Sequence, residues 1–118
     1  MTIYGNGGDD SIYAGSGDDV VYAGAGNDIV LGGDGNDVLR GGPGSDYLEG
    51  DAGSDRLFGG SGNDSNDAGD GSDYLFDRGR HSGDDGLFAG PGTDVCVGDP
   101  HPKDAYAQCE TMRTRQLR

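Results

Sequence analysis

Polar and hydrophobic positions recur along this chain in blocks of nine residues. Each block opens with six mostly glycine or polar positions and ends with three positions of which the middle one is aliphatic, as in residues 32–40, GGDGNDVLR. A fixed period of this kind predicts a repeat architecture, which determines the whole fold. Ten blocks begin at Gly5, Ala14, Ala23, Gly32, Gly41, Gly50, Gly59, Ala68, Arg80 and Ala89.

Several positions within the block keep one type of residue. The fourth is Gly and the sixth is Asp in all ten blocks, the second is Gly in seven, and the eighth is aliphatic in eight, with Asn66 and Cys96 as exceptions. Helix is excluded because each Gly costs about 1 kcal/mol relative to Ala. The last three positions predict a very short strand whose eighth residue points inward. The first six predict a tight turn, in which Gly adopts conformations that a Cβ disfavours.

The block resembles the nonapeptide G-G-x-G-x-D-x-U-x of the RTX (repeats-in-toxin) or haemolysin-type calcium-binding family. The resemblance implies an all-β fold, a parallel β-roll, which is a right-handed β-solenoid with two nonapeptides per turn and strands that alternate between two sheets. We therefore expect residues 1–4 to be the tail strand of a preceding repeat and residues 5–97 to form the roll, with an insertion at 77–79. Residues 98–118 would form a C-terminal capping tail.

Two stacked sheets divide the eighth positions into two inward rows, and the resulting core is thin. At about 25 cal/mol per Å² of apolar burial, one aliphatic side chain per block does not offset an ordering cost of about 1–2 kcal/mol per residue. The loops must therefore supply further stability. The inward rows are Ile12, Val30, Leu48, Asn66 and Leu87 in one sheet, and Val21, Leu39, Leu57, Leu75 and Cys96 in the other.

The sixth-position aspartates fall into two corresponding rows. Strands stack about 4.8 Å apart, so unscreened carboxylates would repel one another and each row requires cations. Ca²⁺ takes about six to eight oxygen ligands, whereas Mg²⁺ prefers a small octahedron with retained waters, and Zn²⁺ requires His or Cys, which the loops lack apart from His81. The rows are Asp10, Asp28, Asp46, Asp64 and Asp85, and Asp19, Asp37, Asp55, Asp73 and Asp94.

The resemblance also implies a ligand set for each ion. An ion would lie between the loops of repeats n and n+2, bound by the second and fourth carbonyls of the earlier loop and the first and third of the later one. Each aspartate would bridge two ions, which allows up to about eight Ca²⁺ against a formal charge of −14. The alternative is a solvated acidic face of turn residues, but turn preference does not explain a fixed sixth position. The implied carbonyls are those of Asn6, Gly8, Gly15, Gly17, Ala23, Gly24, Ala25, Gly26, Gly32, Gly33, Asp34, Gly35, Gly41, Gly42, Pro43, Gly44, Gly50, Ala52, Gly59, Ser61, Ala68 and Asp70.

Two places interrupt the period. Asn66 puts an amide at a core position, where it needs hydrogen-bond partners, and we expect a local defect there. After Phe76, three extra residues and the loss of glycines at 80–82 put the metal sites of the Asp85 loop in doubt. His81 in this loop is interpreted as exposed in preference to metal-bound.

The two cysteines predict a disulfide. Cys96 and Cys109 lie in a loop-rich chain of an exported type, and closing a loop of this size is worth about 3 kcal/mol. The segment around them, TDVCVGD to DAYAQCE, resembles the ends of secreted RTX arrays, which implies that the pair fastens a terminal cap. Two free thiols are the alternative.

Outward-facing strand positions are unusually apolar. They indicate either a surface for a neighbouring domain or a second copy, or simply the β-propensity of short strands. They are Val20, Tyr22, Val38, Phe58, Tyr74, Phe76, Val95 and Val97 on one sheet, and Tyr13, Ile29, Leu31, Tyr47 and Phe88 on the other.

Charge and composition limit the function. A pI near 4.1 disfavours binding to nucleic acid or direct membrane insertion. No recognisable nucleophile–base pair accompanies His81 or His101, so we expect no enzyme activity. We predict a secreted, extracellular module that folds on binding Ca²⁺ and supports the export, folding and stability of an attached catalytic or toxin domain. The alternative function is an adhesin-like surface on the calcium-loaded roll that binds another protein or a second copy.

Overall fold

A computed structural model describes residues 1–77, 86–98, 105–107 and 111–114 of the chain. Its described residues form thirteen short strands. Within these residues, no helix is long and apolar enough to cross a membrane. Almost every strand is the x-U-x end of one block. The strands are β1 (Thr2–Tyr4), β2 (Ser11–Tyr13), β3 (Val20–Tyr22), β4 (Ile29–Leu31), β5 (Val38–Arg40), β6 (Tyr47–Glu49), β7 (Arg56–Phe58), β8 (Ser65–Asp67), β9 (Tyr74–Asp77), β10 (Gly86–Phe88), β11 (Val95–Gly98), β12 (Ala105–Ala107) and β13 (Thr111–Thr114).

Odd-numbered and even-numbered strands form separate parallel sheets, here called the odd sheet and the even sheet. The odd sheet runs β1-β3-β5-β7-β9-β11-β13 and the even sheet runs β12-β10-β8-β6-β4-β2. Each strand pairs with the strand two blocks later, so that Val21 aligns with Leu39. The prediction of a parallel β-solenoid with two nonapeptides per turn is therefore confirmed, with about five turns.

The extra residues after β9 leave the strand register intact on both sides. Leu75 pairs with Cys96 in the odd sheet, and Asn66 pairs with Leu87 in the even sheet, both 21 residues apart in place of 18. The ladder therefore absorbs three additional residues without a change of direction. The loop itself lies outside the described residues.

The two predicted inward rows form the core. The eighth-position side chains from β3 to β11 are fully buried, and Ile3 and Ile12 are partly buried at the N-terminal end. Asn66 is also fully buried, and β8 pairs regularly on both sides, so the expected local defect is absent from the backbone. Val97, predicted to face outward, is only 7% exposed.

Loop stacking explains the invariant fourth glycine. Gly35 has a φ of +119°, and a Cβ added there would collide with the backbone carbonyl of Gly17 in the loop one turn earlier. The second position needs the same left-handed backbone, which Asn6 (φ 73°) and Asp51 (φ 71°) also adopt, as Asn and Asp do more readily than most residues. The turns are therefore conformationally uniform along the described roll.

Candidate metal centre

The sixth-position aspartates line up as the two predicted rows. Asp28 accepts a hydrogen bond on Oδ1 from the backbone N–H of Asp10 at 2.8 Å, and the same contact repeats along the rows. In each case the later aspartate accepts from the earlier one. The further pairs are Asp28–Asp46 and Asp46–Asp64 in the even row, and Asp19–Asp37, Asp37–Asp55, Asp55–Asp73 and Asp73–Asp94 in the odd row.

The odd row continues across the insertion. The Asp73 N–H donates to Asp94 Oδ1 at 2.8 Å although the two residues are 21 apart in sequence. In the even row, the next aspartate would be Asp85, which lies outside the described residues, as do His81, His101 and Cys109. Their predicted roles stay predictions.

In seven of the described aspartates, the second carboxylate oxygen is buried and has no protein partner. This Oδ2 atom is inaccessible to solvent and unpaired in Asp10, Asp19, Asp28, Asp37, Asp46, Asp55 and Asp73. A buried acceptor without a hydrogen bond costs about 1–3 kcal/mol, and more when it is charged. A cation in contact with each Oδ2 would remove this cost, so the residues present fit a bound metal ion.

A backbone carbonyl from the next turn lies near the Oδ2 of Asp46 and of Asp55. A Cβ added to Gly41 would lie 2.5 Å from Oδ2 of Asp46 and 2.7 Å from the carbonyl oxygen of Gly59, the first residue of the loop one turn later. The same holds at Gly50, with Asp55 at 2.5 Å. The carboxylate oxygen of one loop and a carbonyl oxygen of the loop one turn later therefore lie close to the same point. Such hard oxygen donors suit Ca²⁺.

Several other loop carbonyls point toward the loop one turn away. A Cβ on Gly24 would collide with the second-position carbonyl of Asn6, so that carbonyl faces the later loop. In the opposite direction, Gly26 N–H donates to the third-position carbonyl of Pro43 at 3.1 Å, and Gly42 N–H to the first-position carbonyl of Gly59 at 3.2 Å. Carbonyls of both loops thus converge between them, although their role as ligands stays a prediction.

Side chains alone would not hold an ion in this part of the chain. The described residues contain no group of three or more His, Cys, Asp or Glu side chains placed to bind a metal. Any ion between the loops would take most of its ligands from the backbone. That donor set favours Ca²⁺ over Zn²⁺, which prefers nitrogen and sulfur ligands.

Burial makes the central carboxylates difficult to ionise without a cation. Burial raises the pKa of Asp46 to about 6 and the pKa values of Asp55 and Asp73 to about 7. Each of these three carboxylates accepts a hydrogen bond from a backbone N–H, which lowers its pKa, whereas the charge of neighbouring carboxylates raises its pKa. The pKa of Asp37 is raised for the same reasons, with burial first. A divalent ion would favour the charged form and reverse this effect.

A second ladder of hydrogen bonds, which the sequence analysis missed, joins the fifth positions. Asn27 N–H donates to Asp9 Oδ1 at 2.8 Å, and Ser45 N–H in turn donates to Asn27 Oδ1 at 2.8 Å. Asp18 and Asn36 make the equivalent contacts in the other row. The sequence feature that could have indicated this ladder is the Asp or Asn at the fifth position of the first four blocks. This ladder fixes the loops above one another beside the aspartate rows.

Comparison with known proteins agrees with this geometry. No curated protein shows a significant match to the chain. The family model described as the RTX calcium-binding nonapeptide repeat, in four copies, matches residues 2–30 and 31–65, which is more than half of the sequence. The chain therefore belongs to the RTX calcium-binding nonapeptide repeat family.

Proposed function

We propose that this calcium-binding module folds when it meets extracellular Ca²⁺ and thereby supports the export, folding and stability of a secreted protein. The observation that carries the proposal is the buried Oδ2 without a protein partner in Asp10, Asp28 and Asp46 of the even row and in Asp19, Asp37, Asp55 and Asp73 of the odd row. A thin core and a charge of −14 disfavour a compact chain without ligand. Metal binding then contributes directly to the free energy of folding.

Each ion would cross-link two loops one turn apart. Its ligands would be the Oδ2 of a sixth-position aspartate and the interleaved carbonyls of both loops, with up to about eight ions in the two rows. The bound ions would supply charge neutralisation and rigidity. In this role the roll is a structural element and has no catalytic function.

The place of action follows from calcium concentration. Extracellular calcium modules typically bind with dissociation constants of about 10⁻⁴–10⁻³ M. An affinity in that range would leave the chain unfolded at low cytosolic calcium and folded outside the cell. An unfolded chain is suited to export, and folding afterwards would stabilise an attached catalytic or toxin domain.

A calcium titration followed by circular dichroism tests this proposal. We expect a coil-like spectrum in chelator and a cooperative rise of β signal at submillimolar to millimolar Ca²⁺, because the ions offset the buried charge. Magnesium at equal concentration should not replace calcium, since Mg²⁺ requires a smaller octahedral site. An equally strong β signal in chelator would overturn the proposal.

The capping role of the C-terminal region rests on Cys96 and on β13. Cys96 is fully buried at the eighth position of the last block, and β13 pairs in parallel with β11. No described cysteine is a free thiol. We include in the proposal a disulfide from Cys96 to Cys109 that fastens this end of the roll. Alkylation of the unfolded, unreduced chain should modify neither cysteine, and modification of both would refute the disulfide.

A further inference from the structure

The outer faces of the two sheets carry opposite charge. From β1 to β9, the residues on either side of each inward position in the odd sheet face outward, and they include Arg40 and Arg56 and no acidic residue. These are the only Lys or Arg residues within positions 1–77. From β2 to β10, the outward residues of the even sheet include Glu49 and Asp67 and no basic residue. In a chain with 22 acidic residues, this separation creates two distinct surfaces.

Aromatic rings hold one of the two arginines in place on the odd face. The Arg40 guanidinium lies 4.5 Å from the Phe58 ring centroid and 5.8 Å from that of Tyr22. Tyr22 stacks on Tyr4 at 5.1 Å, and Phe58 lies 5.7 Å from Phe76, so the column continues on both sides. Among the described residues, neither arginine forms an ion pair. The odd face therefore presents two cationic side chains, of which Arg40 is held by aromatic rings, on an apolar surface.

The even face presents the complementary arrangement. Glu49 and Asp67 are direct register partners on β6 and β8. The Tyr47 hydroxyl donates a hydrogen bond to Glu49 Oε2 at 3.1 Å, which orients that carboxylate. Tyr13 and Phe88, at 69% and 42% exposure, extend the apolar surface on either side.

We propose that the odd face of one calcium-loaded chain packs against the even face of a second copy of the same chain. Both faces come from the same repeating turn, so their strands have the same spacing. Arg40 and Arg56 are on the third and fourth strands of the odd sheet, and Glu49 and Asp67 are on the third and fourth of the even sheet. Two rolls lying side by side in parallel, with no shift, thus bring the cationic strands opposite the anionic strands.

This association rests on the proposed calcium-dependent folding. Without metal, two chains of charge −14 would repel each other, whereas bound Ca²⁺ reduces that charge. The contact joins two different faces, so it is heterologous and open-ended, and assemblies should grow with concentration beyond a dimer. Stable interfaces bury about 800 Å² per partner. Faces only three residues wide offer less, so we expect a weak interaction.

Sedimentation velocity of the full chain in millimolar calcium, over a range of concentrations, provides the test. We expect the wild type to associate and added NaCl to weaken association. Arg40→Glu/Arg56→Glu has two acidic faces and Glu49→Arg/Asp67→Arg has two basic faces, so each variant alone should associate at least about tenfold more weakly. An equimolar mixture of the two should associate again, because every contact then joins an acidic to a basic face.

A matched control and a parallel measurement separate the possible failures. Ser16→Lys/Ser45→Lys adds positive charge on exposed loops away from both faces and should leave association unchanged. Circular dichroism with and without calcium should show the same folding transition for all chains. A wild-type chain that does not respond to calcium would refute the proposed function itself, and a variant that does not respond while the wild type does is excluded from the comparison of association.

Three results would overturn the inference while leaving calcium-dependent folding intact. They are a wild type that stays monomeric at all concentrations, a mixture no larger than its separate components, and variants that associate like the wild type. Binding of polyglutamate by a monomeric wild type, lost in Arg40→Glu/Arg56→Glu, would assign the odd face to an acidic partner and also overturn it.

Discussion

Asp37 uses its two carboxylate oxygens differently, as do its neighbours Asp19 and Asp55 in the odd row. Oδ1 of Asp37 accepts the backbone N–H of Asp19, a contact that a neutral amide would also make. Oδ2 is buried without a protein partner, so it is the atom that depends on a cation. The structural and metal-binding roles of this residue are therefore separable by substitution.

Asp37→Asn separates these roles. The amide oxygen would keep the contact to Asp19, but an NH₂ group would replace the charged Oδ2, so we expect calcium stoichiometry to fall by up to two ions and the calcium midpoint to rise. Isothermal titration calorimetry and circular dichroism measure the two quantities. Asp18→Asn is the control, because Asn already fills the equivalent fifth position at Asn27 and Asn36 and accepts the same hydrogen bond. Unchanged stoichiometry in Asp37→Asn would contradict the bridging role.

At the scale of the strand and loop, the nine-residue period predicted most of what the structure shows. It specified the strands and the inward and acidic positions, because one residue type at a fixed position leaves a strong signal, and the two blocks per turn implied by the RTX resemblance divided these positions into two rows. The fifth-position ladder was missed because the fifth position is Ser at Ser45, Ser54 and Ser72, which hides the pattern of Asp and Asn. The alanines at the first position, such as Ala23, are buried and join the core, which the sequence analysis did not predict.

Loop stacking gives a prediction for two glycines in the same kind of turn. Gly35→Ala should raise the calcium midpoint of folding, because the new Cβ meets the Gly17 carbonyl at positive φ, where strain is of order 1–3 kcal/mol. Gly7→Ala is the matched control, since a Cβ there would meet nothing within 4 Å. Circular dichroism during a calcium titration compares the two variants. Equal midpoints would show that the loops are not packed as closely as described.

At the scale of the molecule, stability is distributed along the roll in small, similar units. Each turn contributes two core side chains and two loops, and each loop contacts the loop one turn away. Such quasi-one-dimensional arrays gain stability from contacts between neighbouring repeats. Ions placed between the loops would act on the same contacts, so calcium binding and the cohesion of the whole roll should change together.

The calcium dependence of thermal unfolding should therefore be steep. A ligand that binds only the folded state stabilises it by RT ln(1 + [L]/Kd), so a tenfold rise above saturation adds about 1.4 kcal/mol per ion. Several linked ions would make the free energy of unfolding rise several times faster than one site allows. Differential scanning calorimetry across calcium concentrations, at constant ionic strength, gives the number of ions released from the slope. Magnesium at matched concentrations should leave the melting temperature nearly constant. A slope corresponding to a single ion would mean that the aspartate rows do not act as continuous rows of calcium sites, and the roll would then owe its stability mainly to the apolar rows and the hydrogen-bond ladders.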